Sequence, residues 1–337
     1  MTAHSTPDSS SKRRHWPLIL FKGGVTLALC AVLLIQADWD HVADALLSAR
    51  PILVGAVFIG MVLGVCISAV KWRLLLTIHG QFFPLPTLTR YYFTSVFFNN
   101  FLPSTIGGDV YRVYKTMHRK KGRARALAAV LTERLTGIWA LLALGLAGGI
   151  YEYCGVQAPP QWLAPAIIIF GFATVLPVVL LPVSQKAATW CTGVTWMPEK
   201  IKKLLLLADD YRGRPKKIAQ VMVLSFLFHL FTLGWMFLLT RAVGAPVSFA
   251  ALTLGTAGSN LAAMLPLSIN GIGLWDGSFI YLMSAQGMSY NAALAMMLAI
   301  RTLLVPLSLI GGIFYLSDRK DSPLQALQDE SFRTENG

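Results

Sequence analysis

Charged residues are scarce in this chain of 337 residues. Asp, Glu, Lys and Arg together make up 13% of it, whereas soluble globular domains carry about 25%. Hydrophobic residues reach 55%, and the mean hydropathy is +0.58. This shortage of charge excludes an ordinary soluble domain and indicates a helical protein that crosses a membrane several times.

Cysteines and the motifs of soluble enzymes are also scarce. The four cysteines are scattered and no pair has metal-ligand spacing, so we expect neither a disulfide framework nor a metal site. The chain lacks HExxH, GxSxG, Walker and kinase motifs. Its polar stretches are too short for a soluble aminoacyltransferase or glycosyltransferase domain. These absences predict no cofactor and exclude a nucleotide-driven pump within this chain.

The surplus of positive charge lies in short loops beside apolar segments. The formal net charge is +13, but basic loops of this kind are typical of the cytoplasmic side of membrane proteins. We therefore expect no nucleic acid partner. The N-terminus, with a basic patch at 12–14, is predicted to be cytoplasmic, as are the basic loop 184–217 and the tail 318–337.

Six apolar segments have the length and composition of full membrane spans. Residues 1–17 precede them as a predicted disordered cytoplasmic N-terminus, and the membrane domain covers 18–317. We predict an all-α polytopic fold of six full spans plus two broken re-entrant hairpins. The predicted spans are 18–37, 51–76, 126–150, 163–182, 218–240 and 292–316.

A polar run interrupts the apolar sequence at residues 99–109, Asn-Asn-Phe-Leu-Pro-Ser-Thr-Ile-Gly-Gly-Asp. A lipid-facing helix cannot hold such a run, because its freed backbone groups would find no water. The flanking segments 71–90 and 112–125 are both basic and both predicted inside, so the chain between them cannot cross only once. We predict that 90–111 forms a re-entrant hairpin. A surface amphipathic helix followed by a loop is the alternative.

A second broken segment, 249–285, is interrupted near Pro266 and is predicted to enter from the outside. Both broken segments contain Leu-Pro, then serine, then glycines and an acid. Similar broken helices entered from opposite sides are what an inverted repeat predicts.

The two tips and the charges inside apolar helices are candidate substrate-binding residues. Helix N-termini near Gly107 and Gly271 would offer backbone N–H groups to an anion. Charges buried in a bilayer usually face a cavity or a partner, and arginines bind phosphate in bidentate fashion. The candidates are Asn100, Ser104, Gly107, Gly108, Asp109, Arg112, Glu133, Arg134, Asn270, Gly271, Gly273, Asp276 and Arg301.

A purely structural interpretation of the same residues stays open. The glycines would then only allow tight turns, with the acids capping helices. The buried charges would pair with one another, for example Asp109 with Arg134 or Glu133 with Arg112. Both interpretations are compatible, because a paired arginine can still face a substrate.

The motifs resemble the flippase-like membrane family, the transmembrane region of lysylphosphatidylglycerol synthases. The resemblance covers about 18–317 and includes stand-alone members without the soluble synthase domain. At the second tip the family pattern has Gly-Gly-x-Gly and a glutamate, where this chain has Asn270 and Asp276. The matching residues are Asn100-x2-Pro103-x3-Gly107-Gly108-Asp109-x2-Arg112, Thr132-Glu133-Arg134-Leu135-x-Gly137, Asn270-Gly271-Ile272-Gly273-x2-Asp276 and Arg301.

The resemblance implies lipid translocation between leaflets, often by a dimer, in a bacterial cytoplasmic membrane. We expect a transporter of an anionic phospholipid or a polyprenyl-phosphate-linked head group, with Arg112, Arg134 and Arg301 holding the anion. Lysyl transfer is not implied, because the family's aminoacyl-transferring domain is absent. The alternatives are an integral-membrane enzyme or an accessory subunit for lipid-linked sugar or phosphate metabolism.

Overall fold

The computed structural model describes residues 16–101, 107–117, 119–155, 160–176, 211, 213–245, 247–265 and 267–318. These ranges form α-helices and a 3₁₀ turn at Ile269–Gly271, with no β-strand among them. The helices are α1 (Trp16–Ile35), α2 (Trp39–Leu47), α3 (Pro51–Ile78), α4 (Leu85–Phe101), α5 (Gly107–Thr116), α6 (Arg119–Gly155), α7 (Leu163–Leu176), α8 (Pro215–Ala242), α9 (Phe249–Ala263), α10 (Leu274–Ser284) and α11 (Tyr290–Asp318).

Four of these helices, α3, α6, α8 and α11, are long and apolar enough to cross a membrane. The bent pair α1 and α2, at 87° to each other, would bring the number within the described ranges to five. The predicted span 163–182 is described only as far as Leu176. The fold is therefore that of a helical membrane protein, as predicted.

Several hydroxyl groups inside the helices are satisfied locally, which lowers the cost of placing them in a bilayer. The hydroxyls of Thr94, Ser259 and Ser308 each donate to the carbonyl oxygen four residues earlier, at 3.0, 2.7 and 2.7 Å. Two helix starts follow capping rules, because the side chains of Asp38 and Ser248 accept from backbone N–H groups of the first turn.

The helices α4 and α5 pack against each other as the first hairpin. A β-carbon at Gly108 would collide with the backbone oxygen of Ser95, so glycine allows this close approach. At the open end of the hairpin, Gln81 Nε2 donates to the carbonyl oxygen of Thr116 at 3.1 Å. The chain therefore enters and leaves the hairpin at the same end of the bundle.

The second hairpin, α9 and α10, is built in the same way. A β-carbon at Gly258 would lie 2.7 Å from Leu282 Cδ1. The open end is again joined by a glutamine, because Gln286 Nε2 donates to the carbonyl oxygen of Ala251 at 3.2 Å. The predicted break near Pro266 is confirmed, since α9 ends at Ala263 and α10 begins at Leu274.

Each hairpin packs its first helix against the long helix that follows the other hairpin. The helix α4 contacts α11, and α9 contacts α6. Glycines again permit close packing, because a β-carbon at Gly311 would collide with the Phe93 carbonyl, and one at Gly145 would lie 2.6 Å from Ala257 Cβ. The two hairpins are thus interlocked through α6 and α11.

The bundle has two ends, which bring together different parts of the sequence. At one end, Lys115 pairs with Asp318 at 3.2 Å, and Arg214 donates to the Ile78 carbonyl at 2.6 Å. At the other end, the Asp38 N–H donates to Asn291 Oδ1 at 3.1 Å, close to the Gln286 contact in sequence. Arg214 from the loop 184–217 and Asp318 from the tail 318–337, two segments that were predicted to be cytoplasmic, lie at the first of these ends.

Candidate functional site

Arg112 on α5 is the centre of a buried ion network. Its guanidinium donates to Asp109 Oδ1 and to Glu133 Oε2, each at 2.6 Å. The same group lies 4.5 Å from the ring centroid of Tyr92 and 5.2 Å from that of Trp72. Only 3% of the Arg112 side chain is exposed. Two carboxylates and two aromatic faces compensate this charge where water is excluded.

Arg134 on α6 extends the network towards an open space. Its Nε donates to Asp109 Oδ2, so Asp109 bridges two arginines. The Arg134 side chain is 44% exposed, in contrast to that of Arg112. The structure therefore contains both ion pairs that the structural interpretation of the sequence named, Asp109 with Arg134 and Glu133 with Arg112.

Lys71 on α3 is a cation of this network that the sequence analysis did not select. Its position near the end of the predicted span 51–76 is typical of a basic residue at the membrane surface, but only 4% of it is exposed. Its Nζ donates to the carbonyl oxygen of Glu133 at 3.1 Å and to Ser225 Oγ at 3.3 Å. The available signal was its position, since the predicted span 51–76 continues five residues beyond Lys71 and a charge inside a span usually has a partner.

A second ion pair links Asp276 on α10 with Arg301 on α11. The two carboxylate oxygens of Asp276 accept from Arg301 Nη2 at 2.9 and 2.8 Å, and Oδ1 also accepts from Nε at 3.1 Å. Asp276 Oδ2 in addition accepts from the Gly273 N–H at 2.8 Å, which caps α10. Asp276 therefore caps a helix and pairs with a charge at once.

The tips of the two hairpins touch. Asn270 Nδ2 donates to the carbonyl oxygen of Asn99, and Asn99 Oδ1 accepts from the Gly108 N–H at 2.8 Å. Asn270 has a positive φ of 54°, a conformation that Asn tolerates better than most residues. Asn100, next to Asn99, donates to the hydroxyl of Ser308.

A polar cavity of about 490 Å³ borders this contact. Its charged lining comprises Lys71, Asp109, Arg112, Glu133 and Arg134, and its other walls include residues of both hairpins. This volume is in the usual range for sites that bind small molecules or head groups.

A second cavity, of about 380 Å³, also borders the tip contact. Arg301 and Ser308 line it together with apolar residues of α11. Arg134, Asn99 and Asn270 line both cavities. The two spaces therefore meet at the paired tips and share one arginine.

A sequence comparison with protein families agrees with this architecture. A family model described as the lysylphosphatidylglycerol synthase transmembrane region matches residues 19–311. The chain belongs to this family. The match includes both hairpins and both cavities, and it places the chain in a class of membrane domains associated with lysylphosphatidylglycerol synthesis or flipping. A search of curated proteins finds no match.

Within this family domain, most predicted site residues converge on the two cavities. Asp109, Arg112, Glu133, Arg134, Asn270 and Gly271 line the first, and Asn100, Arg134, Asn270 and Arg301 line the second. Asp276 pairs with Arg301 and is thereby linked to the second cavity. Gly107 is the first residue of α5, and Ser104 lies outside the described residues.

Two details differ from what the sequence indicated for this domain. The backbone N–H groups expected to face an anion are partly engaged already, because Gly108 donates to Asn99 and Gly273 donates to Asp276. Glu133 also lies deeper in its helix, since α6 begins at Arg119 rather than after Arg125. Side chains of the chain itself, Asn99 and Asp276, thus accept the hydrogen bonds that were expected to go to an anionic ligand.

Proposed function

We propose that this protein moves an anionic phospholipid or lipid-linked head group between the leaflets of a membrane. The observation that carries the proposal is the position of Arg134, a partly exposed cation that lines both cavities. A head group held by Arg134 would need only local rearrangement of the tips to pass from one cavity to the other. The acyl chains would stay in the surrounding lipid.

The exposed arginines act as exchangeable anion sites. Arg134 and Arg301 have side-chain exposures of 44% and 35%, and each pairs with an aspartate. A phosphate can replace that aspartate and accept the same charge-assisted hydrogen bonds. Arg112 keeps its two carboxylates and fixes the geometry of Asp109. Lys71 adds positive charge to the first cavity.

An inverted repeat of two re-entrant hairpins is part of the proposal. Asp109 and Arg134 are separated by 25 residues, as are Asp276 and Arg301. In both cases the acid follows a hairpin tip and the arginine lies on the next long helix. The exchanged contacts of α4 with α11 and of α9 with α6 support the same relationship. Six full spans, with the N-terminus in the cytoplasm of a bacterial cell, complete this topology.

The experiment is a translocation assay with the purified protein in vesicles. Fluorescent phosphatidylglycerol on one leaflet should move to the other faster than in protein-free vesicles, and faster than fluorescent phosphatidylcholine. The two probes carry the same acyl chains, so a difference in rate reports on the head group and its charge. Equal rates with and without protein, for both phosphatidylglycerol and a polyprenyl phosphate, would remove the proposal.

An integral-membrane enzyme is the second candidate, because Glu133 and Asp109 are carboxylates beside a cavity. Incubation of the purified protein with lipid would then yield a new covalent product, detectable by mass spectrometry. Unchanged lipid combined with translocation favours the transporter.

A further inference from the structure

A groove of about 670 Å³ lies between α3 and α8 and shares no lining residue with the two polar cavities. Its walls are mainly the aliphatic side chains of Val70, Leu74, Val223 and Leu224. Val223 is 57% exposed, so the groove opens at the surface of the bundle. Only an apolar chain can fill this space without losing hydrogen bonds to water.

One end of the groove is positively charged. Arg73 lines the groove and is exposed, and Lys217 Nζ lies 3.5 Å from Thr77 Oγ1 at the same end. The helices run in opposite directions here, because Arg214 before α8 donates to the carbonyl oxygens of Thr77 and Ile78 at the end of α3. The sequences of α3 and α8 contain no Asp or Glu that could offset Arg73 and Lys217.

Arg73 is correctly placed for a lipid head group. Arg73 lies five positions before Ile78, the last residue of α3. This corresponds to a rise of about 7.5 Å along the helix. A long cationic side chain bridges this distance by extending towards the membrane surface. The groove therefore continues from a charged end at head-group depth to an apolar floor at acyl-chain depth.

We propose that this groove binds one anionic phospholipid, with an acyl chain between α3 and α8 and the phosphate against Arg73 and Lys217. The positive end favours an anionic amphiphile, because a zwitterionic lipid brings no net negative charge to Arg73 and Lys217. A second copy of the chain could cover the apolar floor with its own apolar surface, but an apolar surface would supply no negative charge to Arg73 and Lys217. This lipid stays bound at the lipid-facing surface of the helix bundle and is not the transported molecule.

Fluorescence quenching by brominated lipids tests this site. The four native cysteines are replaced by alanine, and a fluorophore is attached at Val223→Cys, or at Gln220→Cys on the rim so that the floor stays open. Leu230→Cys, two turns further along α8 and 42% exposed, is the matched control. Each labelled protein is reconstituted with brominated phosphatidylglycerol or brominated phosphatidylcholine.

We expect brominated phosphatidylglycerol to be preferred at positions 223 and 220 by about fivefold per cation, hence roughly 25-fold for Arg73 and Lys217 together. Arg73→Gln should reduce the preference about fivefold, Arg73→Lys should restore it, and position 230 should show no preference. Equal quenching by the two lipids at 223 and 220 would overturn the proposal. So would protection from both lipids, which would mean that protein covers the groove.

This site is independent of the translocation proposal. Arg73 lines neither polar cavity, so Arg73→Gln should leave phosphatidylglycerol translocation at the wild-type rate. A chain that fails to translocate lipid can still show the quenching preference, and a chain without the preference can still translocate.

Discussion

Asn270 donates a side-chain hydrogen bond to the backbone carbonyl of Asn99, and this contact joins the tips of the two hairpins. Both residues line both polar cavities, so their contact lies where the two spaces meet. If a head group passes from one cavity to the other as proposed, we expect it to displace this contact.

Joining the tips covalently should therefore stop translocation. In a chain without native cysteines, Asn99→Cys and Asn270→Cys together should react with a short bis-thiosulfonate and lose phosphatidylglycerol movement. A reductant should restore the rate. Each single cysteine, treated in the same way, is the control. Full translocation by a completely cross-linked protein would show that the tips do not separate during transport.

Replacing Arg112 should lower the free energy of unfolding much more than replacing Arg134. Arg112→Gln leaves Glu133 and the Oδ1 side of Asp109 without their buried partner, and we expect a loss of about 3–5 kcal/mol in the free energy of unfolding. Arg134→Gln should cost about 1 kcal/mol or less, because its side chain is 44% exposed and Asp109 keeps Arg112. Denaturant unfolding in detergent measures both. Equal losses would contradict the division into a structural and an exchangeable arginine.

The contact between α1 and the second tip should make one glycine substitution, Gly273→Ala, cost more stability than another, Gly287→Ala. Gly273 and Gly287 both have positive φ, 79° and 94°, so alanine at either costs roughly 1–3 kcal/mol in backbone strain. Only at Gly273 would the new β-carbon meet α1, at 2.8 Å from Leu29 Cβ. We expect Gly273→Ala to lose a further ~1–3 kcal/mol.

Equal melting temperatures for Gly273→Ala and Gly287→Ala would mean that α1 does not pack on the tip. The helix α1 would then be held to the bundle mainly through its neighbour α2 and the hydrogen bond from Tyr290 to the Leu33 carbonyl, 2.8 Å long.

Sidedness should follow the two ends of the bundle. With single cysteines in intact cells, Ser48→Cys should react with an impermeant thiol reagent from outside, whereas Arg123→Cys should react only after permeabilisation. The positive-inside distribution gives this direction. The Gln81–Thr116 hydrogen bond places the entry and exit of the first hairpin at one end. Labelling of Arg123→Cys from outside would contradict the re-entrant topology.

Sequence reasoning located the interruptions because bilayers leave few options for polar backbone. Pro266 and its glycines cannot continue a lipid-facing helix, and α9 indeed ends at Ala263. The pairs Asp109–Arg134 and Glu133–Arg112 were also foreseeable, since a buried charge needs a partner. These predictions depend on local chemistry and on the absence of water.

Other features of the site depend on packing between distant segments and could not be predicted. Nothing near Lys71 in sequence indicates that it reaches Glu133 and Ser225, 62 and 154 residues away. The contact of Asn99 with Asn270 joins positions 171 residues apart. Ends of helices were also misjudged, because hydropathy detects the apolar part of α6 but not its basic first turns.

The most direct test of the central claim is the translocation rate of Arg134→Gln in vesicles of wild-type composition. Loss of a charge-assisted contact to the moving head group should slow phosphatidylglycerol translocation by about 10- to 100-fold, with partial recovery in Arg134→Lys. Arg50→Gln, an exposed cation at the start of α3 that lines neither cavity, should keep the wild-type rate. A wild-type rate in folded Arg134→Gln would contradict the account.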